Sequence, residues 1–244
     1  MFQQPRRKGG FTAFVLMLTM ALALALGLAG CAKEPADKGA VPLSFREVTS
    51  EQKIERTAEP NDPSDIVLEA EAAGGSILVY RKQGDLEYLY GQYRTDSARY
   101  ELGIVSGAFF PLDSGVLSIT SLTLNGYSVV RINGAVGANA PLHNYYRLDN
   151  GEILPFLLVD TGHAAEIDLD GDGMEEIVAS HGLPMQAYVY SFKDGRFKWA
   201  DVNEALGATH VILNADNRFE VQAEQGSSEH SRYVYRNGSL IEGR

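Results

Sequence analysis

Cysteine occurs once in the 244 residues, at Cys31, so an intrachain disulfide is impossible. Histidine occurs five times, at His143, His163, His181, His210 and His230, and no two stand in His-x-x-x-His spacing. A helical zinc site of that kind therefore lacks its ligands. The chain contains no Gly-x-Ser-x-Gly elbow and no Gly-x-x-x-x-Gly-Lys loop, which removes the local signatures of a serine hydrolase and of a phosphate cradle. Runs of Lys and Arg are missing after residue 8, and the formal charge is −11. That balance argues against nucleic acid, whose phosphates are bound by clustered basic side chains. Extended helical periodicity is also scarce; Asp201 to Leu206 is the one helical piece expected late in the chain.

A single long hydrophobic run is present, from Phe11 through Leu28, preceded by Arg6, Arg7 and Lys8. A basic n-region followed by an apolar stretch is the pattern of an export signal. The run ends at Leu28-Ala29-Gly30-Cys31, which resembles the lipobox of bacterial lipoproteins. The resemblance implies cleavage before Cys31, modification of its sulfur with a diacylglycerol, and often acylation of the new amino group with a chain such as palmitate. Two or more acyl chains hold a protein durably on a bilayer. The expected domain plan follows from this: residues 1–30 as lipoprotein signal peptide, residues 31–64 as a flexible tether, and residues 65–244 as the folded domain. Pro35, Pro42, Pro60 and Pro63 are spread among Glu, Lys, Asp and Ala in the tether, a composition with little apolar surface to bury. A short helix between Phe45 and Thr57 is compatible with its pattern.

From residue 65 onward the apolar stretches are short, alternating and bounded by Gly, Asn or Asp, so the domain is expected to be all-β. Three segments share one pattern. A β-branched strand runs into a glycine, an aromatic strand follows after a loop, and a tight Gly turn leads into a further apolar strand. The copies are Val129 to Gly134 with Asn144 to Leu154, Ile177 to Gly182 with Tyr188 to Phe197, and Val221 to Gly226 with Tyr233 to Leu240. The leading glycines stand 48 and 44 residues apart, close to the period of about 40 to 50 residues of four-stranded propeller blades. The turns Asp149-Asn-Gly151, Lys193-Asp-Gly195 and Arg236-Asn-Gly238 each supply a pair that tolerates positive φ in a two-residue hairpin. A weaker fourth unit falls between Ile66 and Val105. The expected architecture is propeller-blade-like antiparallel repeats, with a β-sandwich of similar hairpins as the alternative.

Within the second copy lies Asp168-Leu-Asp170-Gly171-Asp172-Gly173-Met174-Glu-Glu176. Calcium takes six to eight oxygen ligands, and alternate positions of a wrapping loop can supply them. Asp168, Asp170 and Asp172 occupy positions 1, 3 and 5; Met174 would offer its backbone carbonyl at 7; Glu176 would close the set at 9, directly or through water. Position 12 is Ala179 and the flanks read as strands, so this is not an EF-hand. The loop resembles the FG-GAP/VCBS-type calcium-binding repeats of extracellular β-propellers, with a signature of Asp-x-Asp-x-Asp-Gly-x-x-Asp/Glu before a β-branched strand. The likeness covers about fifteen residues, Ile167 to Ser180, and the corresponding turns Leu124-Asn-Gly126 and Asn214-Ala-Asp-Asn217 lack most of the ligands. It implies Ca²⁺ as the cofactor.

Taken together, these features set the expectation of a lipid-anchored protein on the outer side of a bacterial membrane, held there through Cys31. It would be a non-enzymatic binding or scaffolding module for a protein or carbohydrate ligand. The alternative is a cell-envelope hydrolase acting on polysaccharide, whose paired carboxylates meet only in space. Tyr88, Tyr90, Tyr93, Tyr145, Tyr146, Tyr188, Tyr190, Tyr233 and Tyr235 lie in or beside the expected strands, suited either to packing sheet against sheet or to lining such a ligand surface.

Overall fold

The computed structural model describes residues 39–49, 51–57, 63, 65–111, 114–222 and 230–243. The expected signal peptide, residues 1–30, and Cys31 lie outside the described residues. Among those described, no helix is long and apolar enough to cross a membrane. The described residues are all-β, with nineteen strands in four antiparallel sheets and one short helix.

Each sheet contains one consecutive four-stranded meander. Sheet I holds β4 (Ile66–Ala72), β5 (Gly75–Tyr80), β6 (Tyr88–Arg94) and β7 (Arg99–Gly107); sheet II holds β8 (Ser118–Leu124), β9 (Tyr127–Gly137), β10 (Ala140–Asp149) and β11 (Glu152–Val159). Sheet III holds β12 (His163–Ile167), β13 (Glu176–His181), β14 (Gln186–Lys193) and β15 (Arg196–Asp201), and sheet IV β16 (His210–Leu213), β17 (Arg218–Gln222), β18 (His230–Arg236) and β19 (Ser239–Gly243). The three sequence repeats thus start on the second strands of sheets II, III and IV, and the weaker fourth unit coincides with sheet I. Four sheets, in place of the two of a sandwich, pack successively through three cores. Ile77, Tyr93 and Val105 meet Val130, Ile132 and Tyr146 between I and II. Leu124, Tyr145 and Val159 meet Ile177 and Tyr190 between II and III. Val189, Ala200 and Val202 meet Val211, Phe219 and Tyr235 between III and IV. Tyr93, Tyr145, Tyr146 and Tyr235 are among the largest fully buried side chains, so these tyrosines pack the sheets together.

A meander has two chemically different ends. The first-to-second and third-to-fourth hairpins turn at one, here the hairpin end; second-to-third links and sheet-to-sheet links lie at the other, the connection end. The hairpin end is closed by four Asn-Gly or Asp-Gly pairs with both residues at positive φ: Asn125-Gly126, Asn150-Gly151, Asp194-Gly195 and Asn237-Gly238. Such type I′ turns match the twist of the flanking strands. The sheets share a common orientation. A Cβ on Gly74 would come within 3.6 Å of the Cα of Gly151, joining hairpin ends of I and II, while the Ser106 hydroxyl bonds Ala135 at their connection ends. The Met185 amide donates to His210 Nδ1, and Val211 N–H to the Met185 carbonyl, at the connection ends of III and IV. Between those two sheets runs α1 (Val202–Leu206), capped by the Asp201 side chain on the Glu204 amide and ended by Gly207 in the left-handed region.

The stretch 31–64 does not behave as a tether throughout. From Val41 to Thr57 it forms a strap across the fourth strands of all four sheets. β1 (Val41–Pro42) pairs with β19, β2 (Arg46–Glu47) with β15, and β3 (Glu55–Thr57) with β7. At sheet II the Gln52 side chain takes the place of a strand: its Nε2 donates to Asn144 Oδ1 at 3.3 Å and its Oε1 accepts the Phe156 amide at 3.1 Å. Among the described residues, the region Phe45 to Thr57 accordingly holds two strands and no α-helix. Strands of two or three residues carry no readable alternation, and their partners lie far along the chain, so composition alone describes this segment as unstructured.

Candidate metal centre

The acidic loop joins β12 to β13 at the hairpin end of sheet III. Gly171 and Gly173 both sit at positive φ, 76° and 86°, the region that a residue with a Cβ enters at a cost. Those two bends turn successive amides inward. Asp168 Oδ1 accepts the amides of Gly171 at 2.8 Å and Asp172 at 3.1 Å, and its Oδ2 accepts that of Gly173 at 3.1 Å. Asp172 Oδ1 takes the Met174 amide at 2.7 Å.

The structure gathers three of the expected side chains. Carboxylate oxygens of Asp168, Asp170 and Glu176 all lie within 4.8 Å of one another. Asp172 stands outside this triad, its Oδ1 committed to the turn, and Met174 enters the expected set through a backbone carbonyl. Glu176 is only 4% exposed; its Oε2 accepts the Leu169 amide at 3.3 Å and its Oε1 the Ser191 hydroxyl at 3.5 Å. Both contacts are long for hydrogen bonds to a charged acceptor. Burial pushes the Glu176 carboxyl up to about 7, with the charges of Asp170, Asp172 and Asp168 acting in the same direction.

Asp170 is the decisive residue. Its Oδ2 accepts the Asn237 amide at 2.7 Å, but its Oδ1 is buried with no partner, the only carboxylate oxygen in that condition among the described residues. An unmet buried acceptor costs the desolvation of that group, and here it faces two more carboxylates. A hard divalent cation resolves both problems, and an all-oxygen donor set without nitrogen or sulfur suits calcium or magnesium better than zinc. The residues present therefore fit the ion.

Neighbouring sheets hold the loop from two sides. Asn125, in the β8–β9 turn of sheet II, accepts the Glu175 amide at 2.7 Å and donates to the Glu175 carbonyl at 3.1 Å. Asn237, in the β18–β19 turn of sheet IV, supplies the amide on Asp170. The loop is thus a junction of three sheets. Sequence reasoning reads Asn125 and Asn237 as turn formers only; nothing local signals that these turns also grip the loop.

The histidines do not join this centre. His163 pairs with Ser180 at the opposite end of the β12–β13 hairpin, and His181 is the last residue of β13. His143 is buried; the Ala164 amide donates to its Nε2 at 3.2 Å, so its Nδ1 carries the proton and donates to Asn133 Oδ1 at 2.8 Å. Burial, then the charges of Arg131 and His163, push its pKa down to about 4. It is a neutral joint between sheets II and III with neither nitrogen available as a base. The cleft beside it, about 290 Å³, is lined by Phe110, Val116, Asn133, Pro141, His143 and His163 with small residues between them, and among the described residues no carboxylate lines it.

Comparison of the chain with protein-family models, with curated proteins and with solved structures finds no match.

Proposed function

We propose that this chain is a lipid-anchored protein on the outer side of a bacterial membrane, attached through Cys31, and that it acts as a non-catalytic binding or scaffolding module stabilised by calcium. In this reading each meander is a blade-like unit of a small propeller-type array. The period of the repeats, the succession of four sheets and the shared hairpin chemistry support it. The metal part rests on one observation: the buried, unpartnered Oδ1 of Asp170 beside Asp168 and Glu176.

Asp168, Asp170 and Glu176 would hold the ion by their side chains, with Asp172 and the Met174 carbonyl completing the set. When bound, the cation neutralises the cluster. The chain's own part is to present the cluster ready-made: the glycine bends aim the Asp168 cap, the sheet III core buries Glu176, and Asn125 and Asn237 fix the loop against sheets II and IV. A ligand confined to the folded state raises stability by about 2.7 kcal/mol at a hundredfold excess over Kd. Thermal unfolding in EDTA and in millimolar calcium tests this. A higher midpoint with calcium is the expected result; identical midpoints would remove the metal from the reading. Mass spectrometry of the membrane-extracted protein tests the anchor, with acyl-modified Cys31 as the new N-terminus expected.

A further inference from the structure

The strap from Val41 to Thr57 is held lightly along most of its course. β1 and β2 are two residues long and β3 three. Arg46, Glu47, Glu55 and Arg56 are exposed, and the ion pairs of Arg46 with Glu204 and of Glu47 with Arg196 and Lys198 lie at the surface. Exposed pairs of that kind contribute little to stability. Short pairing open to solvent is also the kind that detaches locally while the rest of a domain stays folded.

The first part of the strap, Val41 to Phe45, sits on the same turn that grips the acidic loop. The Leu43 amide donates to the Gly238 carbonyl at 2.9 Å, and the neighbouring Asn237 amide donates to Asp170 Oδ2 at 2.7 Å. A Cβ on Gly238 would lie 3.4 Å from Cε2 of Phe45, so the Phe45 ring rests against this turn too. Two consecutive residues thus bind two segments far apart in the chain: Asn237 the loop, Gly238 the strap. A second route runs through the core between sheets III and IV. Leu169, set between Asp168 and Asp170, shares that core with Leu43, Tyr235 and Leu240, and its amide donates to Glu176 Oε2 at 3.3 Å. A shift of the loop therefore reaches Leu43 through a backbone link and through packed side chains. The far end of the strap is seated elsewhere: Ile54 packs against the core between sheets I and II, and β3 pairs with β7.

We propose that the ion site is a lock on the start of the strap. With calcium bound, the β18–β19 turn is fixed and Val41 to Phe45 stay on sheet IV; without it this segment detaches and bares the outer edge of β19, an unpaired row of backbone groups that accepts another strand. This rests on the metal reading. Coupling is reciprocal, so a seated strap must also tighten the ion. Hydrogen exchange of the full chain, read by mass spectrometry in EDTA and in millimolar calcium, tests the first direction. Calcium is expected to slow exchange over residues 41–45 by about 5- to 150-fold, the range of ordinary coupling between sites, and to slow it less over residues 54–57. Calorimetric titration tests the second direction. Leu43→Ala and Phe45→Ala should weaken calcium binding by about fivefold or more, whereas Ile54→Ala, which trims the same strap at sheet I, should leave it unchanged. Calcium binding with unaltered exchange over 41–45, or with all three variants affected alike, would overturn the lock and leave the ion site standing. Equal slowing over 41–45 and 54–57 would mark a global effect of the ion and overturn it as well. Absence of calcium binding to the native chain defeats the metal reading, and the proposal with it.

Discussion

The β12–β13 loop and the β16–β17 turn occupy the same place in adjacent sheets, yet they close by different chemistry. In sheet IV, Asn214 Oδ1 accepts the amides of Asp216 at 2.9 Å and Arg218 at 3.0 Å. Its backbone pairs with Arg218 and Asn217. One neutral side chain suffices to fold that turn. In sheet III, Asp168 performs the equivalent capping of Gly171, Asp172 and Gly173, while Asp170 and Glu176 are additional, one with an unmet buried oxygen and the other deeply buried. A hairpin does not require those two carboxylates. The excess acid is what separates a turn from an ion site, and experiments can set the two hairpins against each other.

The largest effect is expected from Asp170→Ala. It should abolish the calcium-dependent rise in unfolding midpoint, a loss of about 2.7 kcal/mol at a hundredfold excess over Kd, whereas Asp216→Ala in the sheet IV turn should leave that rise intact; differential scanning calorimetry with and without EDTA reads both. Next, Asn125→Gly keeps the positive φ but deletes both bonds to Glu175. Chemical denaturation should show a cost of about 1–3 kcal/mol and weaker calcium binding, since the loop loses its grip on sheet II.

The pH dependence follows from Glu176. Burial, with the neighbouring aspartates, pushes its carboxyl up to about 7 from an ordinary value of 4.5. Protonation therefore favours the folded state: the stability it contributes is fully present below pH 4.5 and is lost as pH rises through about 7. Calcium must displace that proton, so its Kd should rise by up to about tenfold per pH unit below 7, as titration calorimetry at several pH values would show. Glu176→Gln should flatten the profile, stabilise the ion-free protein at pH 8 and weaken calcium binding. The smallest effect belongs to Asn214→Ala, about 1 kcal/mol from the lost cap, equal in calcium and in EDTA.

Local rules made part of this molecule legible. Asn150-Gly151, Asp194-Gly195 and Asn237-Gly238 announce hairpins because few other pairs accept positive φ twice in succession, and all three close hairpins here. The Val202–Leu206 helix is legible from its Asp201 cap and its Gly207 stop. The spacing of Asp168, Asp170 and Glu176 forecasts a cluster that the fold assembles. What escapes a linear reading is set by distant partners. Val41 has no strand signal until Leu240 lies beside it, and Gln52 reads as tether until Asn144 and the Phe156 amide meet it. Asn125 and Asn237 are turn formers whose second role depends on a loop about 50 to 70 residues away. Asp172 shows the converse limit: its spacing nominates a ligand, but its Oδ1 accepts the Met174 amide and holds the turn.

Calorimetric titration of calcium into the purified protein and its Asp170→Asn variant tests the central claim most directly. The account predicts about one ion bound per chain in the native protein and none in the variant. Absence of binding to the native chain, or equal binding to both, would contradict it.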